Sequence, residues 1–347
     1  MSLRVGVVGV GRIGQDHAER LTSTVAGATV VAVTDVDADR ARDVADLLAP
    51  RGKNLPKVHA TGEDLVADPD VDAVVVASWG PTHELYVLAA LAAGKPVFCE
   101  KPLATTREAC ERILAAETKT MAAGAGHRLV QVGYMRRYDP AFQALHDAVT
   151  TGSVGAPLLI HCAHRNASVP GWYSDDMMIA DSAVHEIDVA RWLLGEEIVA
   201  VRVLEPRRSS RAPERLRDPL LLVLESASGV LVDIELSMSV GYGYDVRCEV
   251  VGESGTAALA DDGAVRVVAG GVRGSPLPPD WIDRFARAYD LEMQDWVDAV
   301  TAGRSSGPTA WDGYAAAVVA ETCLRAPRTG ERVPVQLGTP PAAYAVA

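Results

Sequence analysis

Arg4-Val5-Gly6-Val7-Val8-Gly9-Val10-Gly11-Arg12-Ile13-Gly14 is the stretch on which the reading of the fold turns. A short apolar run forms a strand, three glycines follow in G-x-G-x-x-G spacing, and a helical stretch begins at Ile13. Gly9 permits the tight turn, Gly11 lets backbone approach phosphates, and Gly14 lets helix and strand pack closely. The spacing alone is weak. With the strand before it and the helix after it, the loop, including Arg12 and Ile13, reads as a pyrophosphate site at a helix N-terminus.

Working outward, residues 28–34 form a second strand that ends at Asp35, about 20 residues beyond the last glycine, where an acid accepts from adenosine ribose hydroxyls. A 2′-phosphate would sit against Asp35, with Asp37 close by. One such charge pair at about 5 Å costs on the order of 3 kcal/mol before screening, which favours NAD over NADP. The alternative is that Asp35 is only a loop carboxylate. The βα alternation continues through strands at 72–78, 96–99 and 128–133 and helices at 81–94 and 105–123. Strands alternating with helices imply a parallel doubly wound sheet whose ligands lie beyond the carboxyl ends of its strands. Three stretches fall there: Ser78-Trp79-Gly80-Pro81-Thr82-His83, Glu100-Lys101-Pro102, and residues 134–139. Lys101 stands out, because a lysine at such a strand end faces a cofactor unless it is merely solvated.

The pattern changes after Tyr138. Residues 157–166 alternate as a strand on which Cys162, His164 and Asn166 share one face. His161 therefore points the other way, and His161-Cys-Ala-His164 is a poor chelate. Strands at 220–224 and 230–238 are joined by a turn, and 244–251 alternates as well. Alternating strands without intervening helices indicate a largely antiparallel sheet with one packed face. The expected division is a Rossmann domain over 1–134 and an α/β domain over 135–347, closed by helices within about 281–325. Residues 50–58 and 122–128 are less typical of such a chain.

Within the second domain, Asp181-Ser-Ala-Val-His185-Glu-Ile-Asp188-Val-Ala-Arg-Trp-Leu-Leu-Gly195 reads as one helix. Asp181 can cap its start and Gly195 stands just past its end. At about 100° per residue, Asp181, His185 and Asp188 form a polar stripe beside an apolar one of Val184, Ile187, Ala190 and Leu194. A carboxylate near an imidazole orients it and raises its basicity. The plainer alternative is that Asp181 only caps and His185 is a satisfied, half-buried histidine.

Composition sets the outer bounds. The 347 residues are 48% apolar and 23% charged, with a formal net charge of −13. That charge argues against nucleic acid or an anionic membrane as the main partner. No apolar run approaches the roughly 20 residues of a membrane helix, and the first strand starts too early for a signal peptide. The five cysteines, Cys99, Cys110, Cys162, Cys248 and Cys323, are scattered without C-x-x-C spacing. That pattern fits reduced thiols in a cytoplasm better than a disulfide framework or a metal site.

Taken together, these stretches resemble the glucose–fructose oxidoreductase/inositol dehydrogenase/rhizopine-catabolism family, and its inositol 2-dehydrogenase branch in particular. Glu100-Lys-Pro102 is diagnostic of the wider family. Residues 78–83, 135–139, 181–188, Gly241-Tyr-Gly-Tyr-Asp245 and Gly307-Pro-Thr-Ala-Trp-Asp-Gly-Tyr314 look like the branch. The resemblance implies oxidation of a ring hydroxyl of myo-inositol to an inosose with NAD, and an open C-terminal sheet that builds a homotetramer. It implies Lys101, Asp181 and His185 as the catalytic set. It also implies substrate contacts from Met135, Arg136, His164, Asn166, Asp188, Tyr244 and Tyr289, of which Arg136 and Tyr289 could equally be packing residues. The cofactor contacts expected are Gly9, Gly11, Arg12, Ile13, Gly14, Asp35, Ser78, Trp79, His83, Glu100 and Lys101, with no metal. Other readings are a dehydrogenase of another cyclic polyol or sugar, and a non-catalytic sensor that binds dinucleotide. A sensor has no need of the lysine, aspartate and histidine together.

Overall fold

The computed structural model describes residues 2–49, 55–260, 267–269 and 272–344. Two compact units emerge. The first takes Met1–Met135, Tyr289–Ala317 and Gly338–Ala347; the second takes Arg136–Ala288 and Val318–Leu337. One continuous second domain from residue 135 onward was expected, and the chain departs from that by returning to the first unit. The reason is packing: Met293, Trp296 and Val297 on the late helix belong to the same apolar core as Val5, Val7, Val33 and Phe98.

In the first unit, strands β1 (Leu3–Val8), β2 (Ala28–Thr34), β3 (Lys57–Val58), β4 (Ala73–Val76), β5 (Val97–Glu100) and β6 (Val130–Gly133) form one sheet. Their order is β3-β2-β1-β4-β5-β6 and every pair is parallel. Ala73–Val76 is buried at each position, as a central strand covered on both faces must be. Helices α1 (Arg12–Ser23), α2 (Ala38–Leu48), α3 (Gly62–Ala67), α4 (His83–Ala92) and α5 (Arg107–Thr120) intervene. Asp37 caps α2 by accepting from the amides of Asp39 and Arg40. On α2, Ala41, Val44, Ala45 and Leu48 are buried, the spacing of a single apolar stripe. The helix expected over 105–123 ends at Thr120 and gives way to a wide turn, Met121–Ala125, around the non-helical Gly124. Of the atypical stretch 50–58, residues 50–54 lie outside the described residues, and Lys57–Val58 is a short edge strand that was not anticipated.

In the second unit, α6 (Pro140–Thr150) leads into a seven-stranded sheet. Its strands are β7 (Pro157–Arg165), β8 (Ile198–Leu204), β9 (Leu220–Ser226), β10 (Leu231–Ser237), β11 (Asp245–Gly252), β12 (Gly255–Ala258) and the late β15 (Val333–Pro334), in the order β12-β11-β7-β10-β9-β8-β15. A separate pair, β13 (Val267–Ala269) and β14 (Val272–Gly274), stands apart. Pairing is antiparallel except between β10 and β7. The sheet is thus mostly antiparallel, and β8 was not legible in the sequence. On the inward face, Ile160, Cys162 and His164 of β7 lie beside Val232, Ile234 and Leu236 of β10, all buried. His161 faces the other way and pairs with Asp233.

The helix expected over 181–195 begins earlier, as α7 (Asp175–Met177), widens over Met178–Ala183, and continues as α8 (Val184–Leu194). Asp181 is therefore not its cap; Ser174 holds the N-cap position. Gly195 ends it in the left-handed region at φ +63, as expected. The two-stripe picture fails as well. The wide turn spends an extra residue, and every residue from Val184 to Arg191 is buried, because α8 packs against both β7 and α6. The last long helices are α9 (Trp281–Thr301), kinked at Phe285, and α10 (Ala310–Arg325).

Candidate active site

The glycine loop of the first unit meets the steric demands read from its spacing. Gly9 has φ +85, and a Cβ there would lie 2.4 Å from Ser78 Cα. A Cβ on Gly14 would lie 1.9 Å from the Gly9 carbonyl oxygen. Gly11 differs: a Cβ on it would meet nothing within 4 Å. No side chain caps α1, and its first turn holds no acid. An open approach to uncapped amides at a helix start suits a pyrophosphate. Arg12 is exposed, and Ile13 packs on the core.

Asp35 holds this loop together. Its Oδ2 accepts from the Val10 amide at 2.8 Å, and its Oδ1 accepts from the Asp37 amide at 2.9 Å and from Arg40 Nη1 at 3.1 Å. Arg40 also reaches Asp37 at 3.4 Å. The first turn of α2 thus sets a cation on both Asp35 and Asp37, the carboxylates expected to repel a 2′-phosphate. Their field is correspondingly weaker.

Beyond the other strand ends, the residues separate by environment. Trp79 is 77% exposed. Ser78 Oγ shares a hydrogen bond with Thr82 Oγ1 at 2.8 Å. His83 is buried between two carbonyl oxygens, Pro102 O at 2.7 Å from Nδ1 and Ser78 O at 2.9 Å from Nε2. Burial holds its imidazole below the ordinary value, against the pull of those carbonyls. A neutral ring donates to one of them, so His83 ties the Ser78 turn to the strand-end segment after Lys101. Glu100 is buried too; its Oε1 lies 2.7 Å from His17 Nε2, and its Oε2 accepts from the Lys101 amide at 3.1 Å. His17 had not been singled out. It lies wholly buried on α1, edge-on to Phe98 and to Tyr289, each with ring centroids 5.6 Å away. Tyr289 is covered by the Arg20 guanidinium at 5.5 Å, and Met135 is buried. Those two are packed in the first unit.

The second unit gathers a buried polar cluster at the N-terminal half of α8. His185 is buried, with its ring centroid 6.5 Å from that of His164. Asp181 lies in the wide turn just before it, close enough to Tyr173 to help burial push that phenol up. His164 Nδ1 lies 3.2 Å from Glu186 Oε2, and its Nε2 lies 3.5 Å from Tyr244 Oη. Arg136 pairs with Glu186 and stacks on Phe142 and Phe285 at 5.8 and 5.6 Å. Asp188 takes both arms of Arg137, with Nε at 2.9 Å from Oδ2. Asn166 Nδ2 contacts Met238 Sδ at 3.2 Å. Thus His164, Tyr244 and Arg136 meet around Glu186, while Asp188 is engaged elsewhere. Glu186 and Arg137 were missed. For Glu186 the signal was present: at about 100° per residue it falls beside Ala190 and Leu193, away from the stripe of Asp181, His185 and Asp188.

Residues 3–127 match a family model described as oxidoreductase family, NAD-binding Rossmann fold, and residues 146–337 match that family's C-terminal alpha/beta domain. The chain is 49% identical over 344 residues to the inositol 2-dehydrogenase of Ralstonia nicotianae, spanning 99% of each. It is 48% identical over 345 residues to that of Pseudomonas syringae pv. syringae, spanning 99% of this chain and 100% of the relative. A crystal structure of myo-inositol dehydrogenase from Lactobacillus casei, in complex with NAD(H) and myo-inositol, superposes with a TM-score of 0.93 at 37% identity, covering 99% of this chain and 100% of that one. Both units, the uncapped glycine loop and near-complete coverage by such relatives lead to one assignment: the chain belongs to the glucose–fructose oxidoreductase/inositol dehydrogenase/rhizopine-catabolism family of oxidoreductases, with an NAD-binding Rossmann domain.

Proposed function

We propose that the protein is an NAD-dependent inositol 2-dehydrogenase, which oxidises a ring hydroxyl of myo-inositol to the inosose. The observation that carries the reading is identity near one half, over almost the whole chain, to proteins of that name. The buried His164, Tyr244 and His185, with the half-buried Asn166, are chemically suited to a substrate that bears a hydroxyl on every carbon.

In this reading the Gly9–Gly14 backbone and α1 hold the pyrophosphate, and Asp35 takes the ribose hydroxyls; Ser78, Trp79 and Glu100 complete the cofactor contacts. NAD, when bound, supplies the acceptor for the hydride that leaves the carbinol carbon. The protein must handle the proton. An alcohol near pKa 16 faces a histidine near 6.5, so full deprotonation in advance would cost about 13 kcal/mol at about 1.4 kcal/mol per unit. Proton loss to His185 therefore accompanies hydride departure. Asp181 orients that imidazole and stabilises the imidazolium, and Lys101 donates to the substrate oxygens as alkoxide character develops. Met135, Arg136, Asp188 and Tyr289 complete the proposed substrate shell, directly or by supporting it.

We also assign the protein to cytoplasmic inositol catabolism as a homotetramer built on the second unit's sheet. Leu159 and Leu231, register partners on the outward face, are 38% and 40% exposed, which suits burial against another copy. Among the described residues no helix is long and apolar enough to cross a membrane. Sedimentation of the purified protein tests the assembly: a tetramer is expected, and a monomer at micromolar concentration overturns it. The reaction is tested by NADH formation across myo-, scyllo- and chiro-inositol and a set of aldoses. The highest kcat/KM is expected with myo-inositol; faster turnover of an aldose, or none with any polyol, overturns the assignment.

A further inference from the structure

Glu186 follows the proposed base directly, is 1% exposed, and has no part in the mechanism above. Its surroundings give it one. The carboxylate is gripped by Arg136 and lies 3.1 to 3.2 Å from His164 Nδ1. Around this pair stand Tyr244 on His164 Nε2, the His185 ring, and Tyr173, whose phenol senses both Glu186 and Asp181. Burial opposes ionisation of Glu186, but the Arg136 guanidinium and His164 outweigh it and hold the carboxyl down at about 2. The group is therefore a carboxylate throughout the working range and can only accept.

We infer that Glu186 is a positioning residue that locks His164 as the Nδ1–H tautomer, so that Nε2 offers its lone pair to a substrate hydroxyl. The logic is one of donors and acceptors. His164 Nδ1 is within reach of two polar groups, the Glu186 carboxylate and Arg136 Nη2, the latter at 3.4 Å. The guanidinium only donates and the carboxylate only accepts. The shorter contact is to the carboxylate, so the proton sits on Nδ1 and the Arg136 contact is not a hydrogen bond. Arg136 acts on Glu186 instead, fixing its plane while Phe142 and Phe285 pack against the guanidinium. Nε2 is then an acceptor, and its contact with Tyr244 Oη, at 3.5 Å, is long enough for a donating hydroxyl to take its place. A hydroxyl presented to His164 must donate, which a ketone, an ether or a fluorine cannot do. The inference rests on the inositol reading only for the identity of that hydroxyl; the tautomer stands without it.

The test is nitrogen-15 NMR of histidine-labelled protein, with the His164 signals assigned by their loss in His164→Asn. The expected spectrum of the wild type has His164 Nδ1 protonated and Nε2 bare. In Glu186→Gln, the remaining charge facing Nδ1 is the Arg136 donor, so the tautomer is expected to invert to Nε2–H. With it, kcat/KM for the polyol should fall about 10- to 100-fold, the scale of one unmatched buried hydrogen bond, while NAD affinity holds within twofold. A fluoro-inositol with fluorine in place of the recognised hydroxyl should bind no better than the matching deoxy-inositol. Nε2–H or an imidazolium in the wild type overturns the inference, and that measurement does not depend on Glu186→Gln folding. A retained Nδ1–H tautomer in Glu186→Gln also overturns it. The two claims fail separately: absence of turnover with every polyol defeats the functional reading and leaves the wild-type tautomer to decide this one.

Discussion

A buried charge is tolerable only when its neighbours replace the water it has lost. Glu186 and Arg136, and Asp188 and Arg137, meet that condition pairwise, which is why Asp188, read as part of a polar stripe, lies inside the protein. The proposed roles of His185 and Lys101 carry a direct expectation. His185→Ala and Lys101→Met should each lower kcat by about 10² to 10⁴ with NAD affinity retained; steady-state rates within tenfold of wild type in either variant would remove that residue from the mechanism. Asp35 carries a double load, accepting from the Val10 amide while standing where a ribose is expected. Asp35→Ser should therefore weaken NAD binding as well as relax discrimination against NADP. A cofactor-competition assay with an unchanged preference would separate Asp35 from cofactor choice.

At the scale of elements, helix ends and packing faces decide what a residue can do. The wide turn over Met178–Ala183 moves Asp181 out of the capping role and into the body of a helical run, a shift that regular periodicity cannot foresee. On α9, Trp296 is 2% exposed and meets Phe98 edge-on at 5.9 Å. That late helix completes a core begun some 290 residues earlier by β1. Trp296→Ala should cost about 3–5 kcal/mol, measured as a lower midpoint in urea at unchanged slope. A loss below 1 kcal/mol would mean that α9 is not integral to that core.

For the whole molecule, the response to acid follows from the same buried pair. Glu186 titrates near 2 in the folded protein against an ordinary 4.5. A depressed folded value contributes stability that is present above about 4.5 and lost as the pH falls toward 2. Glutamine cannot titrate, so the stability gap between wild type and Glu186→Gln should shrink over that window. Urea unfolding at pH 6 and at pH 3 measures it; an equal gap at both would place the carboxyl's titration outside the window.

The glycine loop, the alternation of strands and helices through Gly133, and the inward face of His164 were legible in the amino-acid order, because each depends on neighbours within a few residues. Local sterics set Gly9 and Gly14, and a two-residue period sets which side of β7 His164 takes. The edge strand β3, strand β8, the return of 289–317 to the first unit and the partners of Glu186 were not legible. Each depends on contact between segments far apart in the chain. An acid inside a helix reads as a solvated face until an arginine about 50 residues earlier and a strand between them close around it. Side-chain chemistry decided which reactions are open to this protein; long-range packing decided which of its charges face solvent and which were sealed inside to orient one another.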